Sequence, residues 1–136
     1  MQMTTEEIED AIVAQLSISD GLRDIRVEPF PARWEKFLMT APKSAVLVHY
    51  AGSQRQPSRT GKSVLQARKM TWGLTVVHRN LRGHTGAYAL LDAAIAALSG
   101  FVIAGCSQMQ PTRDWFAGEK DGLWMYAMEF ACSQIN

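Results

Sequence analysis

Three features of this sequence first suggest residues able to act on a substrate or hold a cofactor. They are a Gly-Lys-Ser tripeptide, three histidines and two cysteines. Gly61-Lys62-Ser63 matches the end of a phosphate-binding loop. That motif needs a glycine five positions before the Gly-Lys pair, where Gln56 stands. It also needs a helix next, whose free N–H groups cradle phosphate, and the pattern that follows is a strand. His49, His78 and His84 lack ligand-like spacing, and the first two fall in adjacent expected strands as ordinary sheet histidines. Cys106 and Cys132 lie in apolar segments without the C-x-x-C spacing of a metal site, and read as reduced core thiols. A disulfide requires their strands to be neighbours in an oxidising compartment. No serine or cysteine has an elbow or triad setting. The carboxylates cluster on the first helix and in loops, as on solvated faces, and single out no acid–base pair. No catalytic residue, cofactor or metal site is therefore assigned, and an enzyme is not expected.

The elements that position these residues centre on the stretch from Met70 to Cys106. Met70, Trp72, Leu74, Val76 and His78 share one parity, and Lys69, Thr71, Thr75 and Arg79 the other, which marks a strand with one buried face. Asn80-Leu81-Arg82-Gly83 breaks the pattern. A helix follows over about 85–99, with Thr85 as N-cap. Tyr88, Leu91, Ile95 and Leu98 are expected on its buried face, and Gly100 is expected at its C′ position. Residues 101–106 read as a buried strand.

Before this unit, Thr4 and Glu7 have capping-box spacing. Ile8, Ile12, Val13 and Leu16 mark an amphipathic helix, with Glu6, Glu7, Glu9 and Asp10 in its first turns. Ile25 to Glu28 give a short strand stopped by Pro29 and Pro31. Residues 32–39 form one or two helical turns, with Trp34, Phe37 and Leu38 facing inward. Ala45 to Tyr50 read as a central strand ended by Ala51-Gly52-Ser53. The polar, basic loop 53–63 is longer than a turn needs, and makes a long hairpin arm. After the central unit, a loop over 111–122 carrying Trp115 and Phe116 leads to a return strand, 123–132. The expected fold is α+β: a mostly antiparallel sheet of four to five strands, two main helices packed on it, and a long hairpin arm.

The chain has 136 residues, which suggests one domain with a real core. No run approaches the roughly 18 apolar residues of a membrane span. The opening residues lack the basic and apolar regions of a signal peptide. Net charge is +1, unevenly spread: residues 1–35 carry −5, residues 36–91 carry +9 with no acid, and residues 92–136 carry −3. Such a layout suits a subunit with one acidic and one basic surface, unless folding interleaves the charges. Arg55, Arg59 and Lys62 of the loop suit phosphate contacts without sequence reading, although the loop has no aromatic residues for base stacking. Trp115 and Phe116 either tuck under the sheet or anchor an interface.

Several fold-level patterns resemble one family across nearly the whole chain. They are the opening Ile8-Glu9-Asp10-Ala11-Ile12 helix, the Arg26-Val27-Glu28-Pro29-Phe30-Pro31 strand and stop, and the Ala45 to Ser53 strand ending. The alanine-rich helix Tyr88 to Leu98 and the closing strand Gly122 to Phe130 complete the set. Together they resemble the Mu-like phage tail proteins treated as tail terminators. The resemblance implies a subunit that forms a homo-hexameric ring, caps the tail tube, ends its polymerisation and presents a surface for head–neck joining. It implies a place at the head-proximal end of the virion tail, after assembly in the bacterial host cytoplasm. Its partners would be itself, the tail tube protein, the neck or connector proteins, and the sheath where the tail is contractile. DNA would pass through the lumen without sequence-specific contact; no membrane and no cofactor are implied. Within such a ring, Glu6, Glu7, Glu9 and Asp10 of one subunit are expected to face Arg55, Arg59, Lys62 and Arg68 of the next, with Lys69, Trp115 and Phe116 as further interface residues. The alternatives are another neck or adaptor protein, or a nucleic-acid-binding accessory domain that uses loop 53–63.

Overall fold

The computed structural model describes residues 3–34, 36–37, 43–55, 66–80 and 85–135. The first helix, α1, spans Thr5–Ser17. Thr4 caps it in a full capping box: its hydroxyl accepts from the Glu7 N–H, and the Glu7 carboxylate accepts from the Thr4 N–H at 2.8 Å. Ile8, Ile12 and Leu16 are buried, at the spacing of one helical face. A 3₁₀ turn at Asp20–Leu22 leads to β1, Arg26–Pro29. Trp34, Lys36 and Phe37 are helical, as expected of that segment, while Leu38 lies outside the described residues.

The long strands β2 (Ser44–Arg55) and β3 (Ala67–Arg79) come next, then α2 (Thr85–Leu98) and the hairpin β4 (Gln110–Lys120) and β5 (Leu123–Ile135). They form one five-stranded sheet, ordered β1-β2-β3-β5-β4. Only the β1–β2 pair is parallel, so the fold is α+β with a mostly antiparallel sheet. Both helices lie on one face. There Leu90, Ala94 and Leu98 of α2 join the α1 residues over Val46, Val48, Met70, Trp72, Leu74, Met128 and Phe130. A smaller cluster forms on the opposite, open face, where Trp34 and Phe37 lie over Ala45, Leu47, Val77 and Leu123.

Four expectations need correction. β2 does not end at residues 51–53: it takes a bulge between Tyr50 and Gly52 and runs on to Arg55. Gly52 sits at φ 141, a backbone angle that favours glycine, so the residue that signalled an end is the one that carries the strand past its bulge. Residues 101–106 form no strand; Val102 and Cys106 make single bridges, to Gln108 and Gln134. The chain turns there, with Gly100 at φ 81 as the expected C′ residue and Gly105 at φ 78, and it buries Ile103 and Met109 beside the helix end. The expected loop 111–122 is nearly all β4, and Asp121-Gly122 is the turn. Both turn residues have positive φ, 52 and 82, as a type I′ hairpin requires. Finally, Tyr88 is exposed. The buried face of α2 runs through Ala87, Leu90, Ala94 and Leu98, so alanine lets the helix lie close on the sheet.

Candidate functional site

Charge separates by layer. α1 carries Glu6, Glu7, Glu9 and Asp10, α2 carries Asp92, and neither helix has a lysine or arginine. The exposed residues of α1 include Glu6, Asp10, Ala14 and Ser17, which follow one helical stripe. The Glu7 carboxyl is held below the usual carboxylate range by the backbone and side-chain bonds to Thr4. The Glu9 carboxyl is pushed up, first by burial and then by the charges of Asp10 and Glu6.

The sheet register sets the opposite character on the open face. It places Lys69, Arg79, Arg113 and Lys120 there with the carboxylate of Glu129, and Arg26 paired with Glu28 at the β1 edge. One row crosses four strands: His49, Gly73, Glu129 and Arg113 are register partners in turn. The His49 imidazole lies across Gly73 so closely that a Cβ there would overlap the ring. Arg113 Nε donates to Glu129 Oε1 at 2.7 Å, and its guanidinium sits 4.4 Å from the centre of the Trp115 ring. Phe30 and Trp34 stack at 5.0 Å, Trp34 and Phe37 at 5.5 Å, and Phe30 meets the His49 ring edge at 5.8 Å. This aromatic strap covers the open face toward the Val77 end of β3. Burial lowers the His49 pKa, partly opposed by Glu129, and its Nδ1 has no hydrogen-bond partner among the described residues.

The other half of the open face carries two shallow hollows. One, of about 320 Å³, lies among Gly52, Ser53, Gln54, Thr71, Glu129 and Lys69. The second, of about 330 Å³, lies among Ser107, Gln108, Gln110, Ser133 and the same Lys69. Lys69 therefore stands between two polar hollows. Among the described residues, no three His, Cys, Asp or Glu side chains group as a metal site would need. No described helix is long and apolar enough to cross a membrane.

The expected interface residues scatter. Arg59 and Lys62 lie outside the described residues. Arg55 is exposed at the end of β2, in register with Arg68. Arg68 corrects the expectation: it is only 8 % exposed and cannot present charge to a neighbour. Its guanidinium donates to Ser53 Oγ (2.9 Å), Gln134 Oε1 (3.3 Å), Thr5 Oγ1 (2.9 Å) and Tyr50 Oη (3.1 Å). It pins α1 to the sheet. Trp115 and Phe116 do not tuck under the sheet; they are 38 % and 53 % exposed, on opposite faces of the edge strand β4. Phe116 lies 5.4 Å from the Tyr126 ring and 6.0 Å from that of Trp124. Thr71, Gly73 and Glu129 were not legible as site residues, since only the register gathers them beside Lys69. The thiols of Cys106 and Cys132 are close enough to hydrogen-bond, and burial pushes the Cys132 thiol up to about 12.

No curated protein matches the chain in sequence. Among solved structures, a chain in the virion of a native gene transfer agent particle shares the fold, with a TM-score of 0.64 and 14% identity over 95% of each chain. The sequence also matches one protein-family model over residues 12–136, from the middle of α1 through β5. The match spans most of the chain, and the chain belongs to the Gp37 protein family.

Proposed function

We propose that this chain is a structural protein of a phage-like virion, and within it the tail terminator: a six-membered ring that caps the tail tube, ends its polymerisation and offers a surface to the neck. The observation that carries this reading is the agreement of fold, along 95% of both chains, with a chain of a gene transfer agent virion. The surfaces support it. β4 is an eleven-residue edge strand, paired on one side only among the described residues, and its two aromatic residues are exposed. The molecule has different charge on its two sides, which suits a head-to-tail contact between two different patches. In this role the chain does no catalysis. It works by self-association and by contact with the tube and neck proteins.

Two measurements test the proposal together. Native mass across a wide concentration range is expected to give a closed hexamer, or monomer and hexamer without longer rods. Particles lacking the chain are expected to carry overlong tails. A monomer at every concentration, together with tails of normal length in its absence, refutes the proposal.

A further inference from the structure

We infer that copies of this chain dock back to front, the acidic stripe of α1 in one copy lying on the open sheet face around Lys69 of the next. This rests on the self-association proposed above and names its two faces.

Charge is the first argument. Glu6 and Asp10 are exposed on a helix that carries no basic residue, and Glu9 feels the like charges of Asp10 and Glu6. On the far side of the sheet Lys69 is exposed and has no hydrogen bond or ion pair among the described residues. The nearby carboxylate, Glu129, is already bonded to Arg113. Each side therefore lacks what the other offers, and the intervening sheet keeps the two from meeting within one copy.

Size and shape agree. At 1.5 Å per residue the thirteen residues of α1 span about 20 Å. Among the described residues, the strap and the His49 ring leave the open face of β3 uncovered from Ala67 to Thr71, about 17 Å at the rise of a strand. The floor there is Thr71, Ala131 and Ser133, small side chains that let a helix approach closely. The exposed stripe of α1 is charged at Glu6 and Asp10 and small at Ala14 and Ser17, so one half meets Lys69 and the other can lie flat. A nucleic acid suits this face less well. A phosphate backbone is held by several free cations, whereas here Arg113 is engaged by Glu129 and the uncovered half offers Lys69.

The test is sedimentation of the full chain across concentration, in low and high salt. Lys69→Glu and the pair Glu6→Lys with Asp10→Lys are each expected to raise the assembly midpoint about tenfold. Combining them is expected to restore it to within about threefold of the original. Lys120→Glu, on the same face but away from the uncovered half, is expected to change it little. Circular dichroism checks that each variant folds. If the original chain assembles and the reversals leave its midpoint unchanged, the docking is overturned while the ring stands. If it assembles neither alone nor on tubes, both proposals fall. If Lys69→Glu abolishes salt-sensitive DNA binding and spares assembly, the face belongs to nucleic acid and the inference is wrong.

Discussion

Replacing Arg68 with methionine sets two large effects against each other. The guanidinium is a buried cation whose four hydrogen-bond partners are all neutral oxygens. Burying a charge without a counter-ion costs several kcal/mol, so losing it is favourable by itself. Against this, the substitution removes four charge-assisted bonds. The hydroxyls of Tyr50 and Ser53 still bond to each other. Thr5 lies near the surface and can reach water. Gln134, at 1% exposure, cannot, and leaving its Oε1 unpaired costs about 1–3 kcal/mol. With the other three bonds, the loss is expected to exceed the gain by about 2–3 kcal/mol. In a chain of this size that lowers Tm by roughly 8–12 °C. Thermal unfolding and urea titration read it directly. Arg68→Lys keeps the charge but not the fork, and is expected to recover less than half of the loss. The Tyr50 phenol gives a second readout: bonding to Arg68 holds its pKa below the usual 10.0, so it moves back up in Arg68→Met. Equal or higher stability of Arg68→Met would refute the reasoning and show that desolvation of the cation dominates.

Three further predictions follow from burial. Burial holds the imidazoles of His49 and His78 below the usual 6.5, so the unfolded chain binds more protons as pH falls. Stability is therefore full above that value and is lost as pH falls from it toward the folded pKa values, a loss that His49→Gln with His78→Gln flattens in urea titrations. The Cys132 thiol, raised to about 12, is expected to react with a thiol reagent at pH 8 only as the protein opens, so its labelling rate rises in step with urea unfolding. Phe130→Ala, in the core, is expected to cost about 3–5 kcal/mol, and Phe116→Ser, on the edge, less than about 0.5, both measured by denaturant unfolding.

The elements with one buried side were legible. α1 shows helical spacing and its capping box, and β3 carries Met70, Trp72, Leu74 and Val76 at a period of two on the face that meets both helices. β4 was missed for a physical reason: Gln110 to Ala117 are exposed throughout, so no burial imposes a period of two on the sequence. Residues 101–106 misled in the opposite way, since a short apolar run reads alike whether it pairs or only fills a corner. The separation of acidic and basic surfaces was visible as charge blocks along the chain, but its membership was not. Arg68 and Lys69 are neighbours in sequence, and the pleat sends one into the core and the other to the open face. Only the register could tell them apart, or show that Glu129 already belongs to Arg113.

The cluster around Arg68 joins residues far apart along the chain: Gln134 Nε2 also donates to the Met3 carbonyl at 3.1 Å, across 131 positions. Closing so long a loop early in folding is entropically unfavourable, and little is gained until the sheet exists. This contact therefore forms after the transition state, as a latch on a structure already built. Weakening it speeds opening while leaving the rate of folding nearly unchanged. The lifetime of the folded subunit, rather than the speed at which it is made, is what this latch between Gln134 and Met3 governs.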